Sequence, residues 1–159
     1  MGDNFNTLLE ASIKLELHVA RLYLVFYHSQ PQDASFWWTL ALEEQNHAAL
    51  LRSIQDVFVP RGSVPEKLIF DNLEILRQTN EDLSGHIAVY NSQIPTREQA
   101  FNLALRIENS AAELHYQNFM GKLPDSDLEQ VFQQLNEDDK DHAGRIRTYM
   151  HEHGIAIDV

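Results

Sequence analysis

Phe36-Trp37-Trp38-Thr39-Leu40-Ala41-Leu42-Glu43-Glu44-Gln45-Asn46-His47-Ala48 is the stretch that decides the fold. Its apolar residues recur at helical spacing, yet Glu44 and His47 stand three apart among them. On a helix such a pair lies about 300° around the axis and one turn along, so both side chains project from one face. A carboxylate and an imidazole carried toward an apolar interior need partners there, because polar groups left unpaired in a core cost several kcal/mol.

Working outward, residues 5–28 read as the first helix through Leu8, Leu9, Ile13, Leu15, Leu17, Val19, Leu22 and Val25, with Asp3 or Asn4 available as N-cap and Glu16 inside the apolar stripe. Ser29-Gln30-Pro31-Gln32 breaks it, and a second helix follows over residues 33–58. Val59-Pro60-Arg61-Gly62-Ser63 is a loop by its breakers. Residues 65–90 read helical through Leu68, Ile69, Leu73, Leu76, Leu83 and Ile87, bent or split near Thr79-Asn80 and Gly85.

Thr96-Arg97-Glu98-Gln99 fits a capping box that opens a helix running to about residue 120, with Glu108 in its stripe and Gly121 as its stop. Ser126-Asp127-Leu128-Glu129 is a second such box after Pro124, opening a helix to about residue 153 before Gly154. Asp139 and His142 repeat the three-residue spacing there. No segment has strand period. The expected fold is all-α: one domain over residues 1–159, an antiparallel four-helix bundle in which residues 65–90 cross between two hairpins.

Each hairpin thus carries a lone interior Glu on one helix and a carboxylate/His pair on the other, a weak internal repeat. Glu16, Glu44, His47, Glu108, Asp139 and His142 form the donor set of a two-metal bundle site. Hard carboxylate oxygens with one imidazole per ion suit Fe and Mn and also accept Zn. Two bridging and two terminal carboxylates would nearly neutralise two divalent ions, the bridges falling to Glu44 or Asp139 and to Glu108, with Glu16 terminal. Glu43 and Asp138, each just before a ligand carboxylate, are placed to accept the second N–H of the imidazole on the opposite helix. A buried hydrogen-bond network without metal is the competing reading.

The net charge of −12 opposes a nucleic-acid or anionic-membrane partner, and the lack of cysteine excludes disulfides, thiolate catalysis and Cys-ligated metal. No run approaches the ~18 apolar residues of a membrane span and no signal-like segment opens the chain, so a cytoplasmic protein is expected. Trp37, Trp38, Phe36 and Tyr27 read as packing at one end of the bundle.

Two stretches, Leu15-Glu16-Leu17-His18-Val19-Ala20-Arg21-Leu22-Tyr23 and residues 36–48, together with Ile107-Glu108 and residues 135–143, resemble the rubrerythrin-like branch of the ferritin-like di-iron carboxylate superfamily. The resemblance spans nearly the whole chain. It implies a non-haem di-iron oxidoreductase that reacts with peroxide or dioxygen, an external electron donor, a homodimer, and Tyr23 near the cluster. His115, seven residues after Glu108, is a further candidate beside it. Three departures stand out: Asp139 where the family has Glu, Ala111 where peroxide-reducing members carry an extra carboxylate, and no cysteine-ligated rubredoxin domain. The first two favour the alternative of a metal-binding protein without turnover, an iron carrier or sensor or a zinc-occupied site. A ferritin-type iron store is the third reading.

Overall fold

The structure is a computed structural model and describes residues 2–62, 64, 67–135 and 141–158, the side chains of residues 2–4 and 135 excepted. Among the described residues there are seven α-helices and no strand: α1 Gly2–Ser29, α2 Ala34–Ser53, α3 Leu73–Ser92, α4 Arg97–Glu108, α5 Ala111–Gly121, α6 Asp127–Leu135 and α7 His142–Glu152. None of them is long and apolar enough to cross a membrane.

Helix α1 ends where Pro31 removes the next donor, and a 3-10 turn, Pro31–Asp33, leads directly into α2. The two helices pack along each other in opposite directions. Phe26 meets Trp37 near the turn, while Glu16 meets His47 further along. Helix α2 then loosens into a π-helical turn, Ile54–Phe58, and a 3-10 turn, Val59–Arg61. Gly62 closes the segment in the left-handed region at φ 69°, where a side chain would be strained.

Helix α3 starts later than its periodicity predicts. Lys67 has φ 61°, which is incompatible with a helix, and Asn72 caps α3 by accepting from the Ile75 amide. Leu68 and Ile69 are nevertheless buried, so their apolar spacing reflects a packed non-helical segment. Pro65 lies outside the described residues. From Leu73 to Ser92 the helix is unbroken. Asn80 does not interrupt it but ties it to α1, donating to the Ala11 carbonyl and facing His18 Nδ1 at 2.8 Å. Helix α3 runs parallel to α1 and buries one face, through Leu76, Asn80, Leu83 and Ile87.

The capping box at Thr96 is complete, with Thr96 and Gln99 each holding the other's backbone amide. The helix it opens stops at Glu108, twelve residues short of the expected end near Met120. Asn109 and Ser110 leave helical geometry, and Asn109 Nδ2 satisfies the Leu105 carbonyl. The last long helix also divides. Ser126 Oγ accepts from the Glu129 amide, but the Glu129 carboxylate reaches the Asp125 amide instead of closing the box. Helix α7 begins at His142, with Asp141 in the left-handed region as its N-cap, accepting from the Gly144 amide.

Helices α4 and α7 are antiparallel, since Phe101 stacks near Tyr149 while Glu108 approaches His142. Trp37, Tyr23, Phe26 and Phe101 are fully buried at one end of this core. The Asp33 carboxylate, also buried, receives Arg97 from α4 through Nε and Nη2 and Tyr149 from α7, pinning the α1–α2 turn to both helices.

Candidate metal centre

Glu16 of α1 and Glu44 and His47 of α2 form one group of converging donors, and Glu44, Glu108 of α4 and His142 of α7 form a second. All five side chains are buried. His47 Nδ1 lies 3.4 Å from Glu16 Oε2 and 3.5 Å from Glu44 Oε2. His142 Nδ1 lies 2.7 Å from Glu44 Oε1 and 3.5 Å from Glu108 Oε2. Glu44 therefore belongs to both groups and turns one oxygen to each. The two imidazoles are nearly parallel, their centroids 5.9 Å apart.

His47 Nδ1 and Glu16 Oε2 are hydrogen-bonded to each other, but Glu44 and His142 are left unsatisfied. Neither oxygen of Glu44 and neither nitrogen of His142 has a hydrogen-bond partner, despite the 2.7 Å approach between them. Buried polar atoms are paired in the great majority of cases, so such a cluster calls for an explanation. The Glu44 oxygens and His142 nitrogens, brought together with no N–H aligned between them, suit a cation there. The donor types, carboxylates and imidazoles without sulfur, fit hard to borderline divalent metals.

Electrostatics point the same way. Burial pushes the Glu16 carboxyl up to about 8, with His47 only partly offsetting it. Burial also acts on Glu44, but the charges and contacts of His142 and His47 outweigh it and hold this carboxyl well below the ordinary range. Burial would lower His142, yet Glu108 and Glu44 raise it well above its usual value. Protons thus occupy a strongly negative interior, and a metal ion entering it would have to displace them.

The surrounding contacts orient His47 and place a carboxylate beside His142. His47 Nε2 lies 2.8 Å from the Tyr116 hydroxyl, leaving Nδ1 toward Glu16 and Glu44. His142 Nε2 lies 3.0 Å from Glu43 Oε2, short of hydrogen-bond alignment, and Arg145 holds the same oxygen at 2.7 Å. Tyr23, fully buried, donates its phenolic proton to Glu108 Oε1.

Asp139 and Asp138 lie outside the described residues. Helix α7 starts at His142, with Asp141 before it in the left-handed region. His115 is turned away from the cluster: its Nε2 meets the Lys67 carbonyl at 2.6 Å and its ring packs near Phe70. Its expected position assumed a continuous helix from Glu108, and the break at Asn109-Ser110 removes that phase relation.

Glu113 and Tyr116 occupy the inward face instead. On an unbroken helix Glu113 would point about 140° away from Glu108; after the break it is buried, and its Oε1 has no hydrogen-bond partner. Burial and the charges of Glu16, Glu44 and Glu108 push its carboxyl well above the ordinary range. Ala111, the expected place for an extra carboxylate, is exposed. A signal for the new start was present in Ser110-Ala111-Ala112-Glu113, which has the spacing of a capping box. Ser110 does sit at the N-cap, but its hydroxyl makes no capping bond.

No family model matches the chain, and neither the curated proteins nor the solved structures contain a match to it.

Proposed function

We propose that this protein binds two metal ions between α1, α2, α4, α5 and α7, within an antiparallel ferritin-like bundle in which α3 is the crossover. Glu16, Glu44 and His47 hold one ion, Glu44, Glu108 and His142 the other, and Glu113 is the fourth carboxylate. The observation that carries this reading is the buried Glu44, whose two oxygens face two imidazoles and have no hydrogen-bond partner. Four glutamates balance two divalent charges without a contribution from Asp139.

The redox form of this proposal is a di-iron oxidoreductase acting on peroxide or dioxygen. A bound iron pair supplies one-electron chemistry and Lewis acidity. The chain orients the His47 imidazole through Tyr116, places Glu43 beside that of His142, and keeps bulk water from the buried carboxylates. Tyr23 offers a proton at the edge of the site through its bond to Glu108.

Metal titration of the stripped protein, followed by elemental analysis, is the direct test. Two Fe, Mn or Zn ions per chain are expected, with Glu113→Gln weakening binding and Ala111→Glu leaving it unchanged. A chain that retains less than one ion overturns the metal reading. Rapid mixing of the reduced, iron-loaded protein with peroxide tests the redox form, which fails if oxidation is no faster than that of free ferrous iron.

A further inference from the structure

An unbroken file of aromatic rings leads from the candidate metal centre to the surface. It starts at Tyr23, bonded to Glu108, and passes to Trp37 at 5.5 Å between centroids. From Trp37 the file continues through Phe101 at 4.4 Å to Tyr149 at 5.4 Å, with the last two rings only 4° from parallel. Phe36 provides a second connection, 5.5 Å from Trp37 and 4.1 Å from Tyr149. Tyr149 is half-buried and borders an open groove with Phe36 and Arg145.

Core packing explains why these rings are together. Burial also requires some polar partner for each phenol and indole, but it does not require that the partner of both tyrosines be a carboxylate, a group able to take a proton. Removing an electron from a phenol makes its O–H strongly acidic, so oxidation is easy only where an acceptor stands ready for the proton. Both tyrosines have one: Tyr23 donates to Glu108, and Tyr149 donates to Asp33 at 2.8 Å. The indole N–H of Trp37, between them, donates to Gln30 Oε1 at 3.1 Å.

We propose that Tyr23, Trp37 and Tyr149 form a relay that carries single electrons from a small phenol- or enediol-type reductant at the surface to the metal centre. The proposal rests on the redox form of the proposed function, with peroxide as oxidant. Tyr23 gives one electron to the oxidised centre and its proton shifts to Glu108. Trp37 re-reduces Tyr23, which takes its proton back, and Tyr149 re-reduces Trp37 while its own proton moves to Asp33. The reductant returns an electron to Tyr149, the Asp33 proton goes back, and the reductant's proton enters solvent. Phe101 and Phe36 do not change oxidation state; the electron crosses them by tunnelling. Two such passages supply the two electrons that, with two protons, convert one peroxide to two waters.

The chain has no cysteine, so Glu152→Cys beside the groove takes a single ruthenium polypyridyl photo-oxidant. In metal-free protein a laser flash should oxidise Tyr149 and then Tyr23, followed by transient absorption and by the radical's electron paramagnetic resonance with ring-deuterated tyrosine. Tyr149→Phe should abolish the first step and Trp37→Phe should confine the radical to Tyr149. Phe101→Leu in a Phe36→Leu background is the second route to that result if Trp37→Phe does not fold. Iron-loaded protein frozen after peroxide should show the same tyrosyl signal, with its decay by ascorbate lost in Trp37→Phe. Wild-type radical yields in all these variants overturn the relay and leave the redox reading intact. Intact photochemistry with iron inert to peroxide overturns both the redox reading and the function assigned to the relay.

Discussion

The two halves of the molecule present the same types of donor by different means. In the α1–α2 half, Glu16, Glu44 and His47 come from helix interiors, where neighbouring turns fix the backbone on both sides. In the other half, Glu108 is the last residue of α4 and His142 the first of α7. Donors from interiors depend on helical phase, and donors from termini depend on where a helix is made to stop. The second arrangement also has an electrostatic cost: a carboxylate at a helix C-terminus faces the negative end of the dipole. Glu108 sits there, so a cation beside it should stabilise this half more than the first.

The largest effect should come from Glu44, the residue common to the two donor groups. Glu44→Gln is expected to weaken both ions together, whereas Glu16→Gln and His142→Ala should each remove one. Elemental analysis at a fixed metal concentration separates these outcomes. Loss of a single ion from Glu44→Gln would mean that the two halves bind independently.

The next largest concerns Asp33, which joins the halves. Its buried carboxylate depends on Arg97, so Arg97→Ala should destabilise the fold by ~3–5 kcal/mol, the usual result of leaving a buried charge unpaired. Denaturant unfolding measures this. Replacing both partners, as Arg97→Met with Asp33→Leu, should recover much of the loss, and no recovery would show that the pair does more than compensate its own burial.

Metal-free protein should respond to pH through the first half. The Glu16 carboxyl titrates at about 8 in the folded protein against 4.5 for an ordinary glutamate. The folded chain therefore holds a proton that the unfolded chain releases above 4.5. Stability from this group is full below about pH 4.5 and is lost as pH rises toward about 8. Glu113 acts in the same direction and Glu44 in the opposite one. The melting temperature of stripped protein should fall across that window, and Glu16→Gln should flatten the fall. Loading with metal should reverse it, because the ions replace the protons.

These same halves differ in how far they can be read from sequence. Glu16, Glu44 and His47 follow from 3.6-residue periodicity alone, since nothing interrupts α1 or α2 near them. Glu108 and His142 were legible as residue types, and the structure brings them to the same cluster. Their neighbours were not, because phase carried across Asn109-Ser110 points to Ala111 and His115, while the restarted helix presents Glu113 and Tyr116. Periodicity sums many weak preferences, whereas a break depends on one or two residues with local alternatives for their backbone bonds, as Asn109 has with the Leu105 carbonyl. Asn72 cuts short the start of α3 in the same way.

The smallest expected effect tests whether a terminus can be disturbed without touching a donor. A Cβ at Gly144 would collide with the Asp141 carboxylate that caps α7. Gly144→Ala should therefore displace that cap, at a cost of ~1 kcal/mol, less whatever alanine gains in helix propensity. Since Asp141 directly precedes His142, the change should lower affinity for the ion held by Glu108 and His142 and spare the one held by Glu16 and His47. Calorimetric metal titration resolves the two if their affinities differ. Equal weakening of both would place control of the site in the shared Glu44 rather than in the helix ends, and unchanged binding would mean that His142 is held by Glu43 and Arg145 strongly enough to make the cap dispensable.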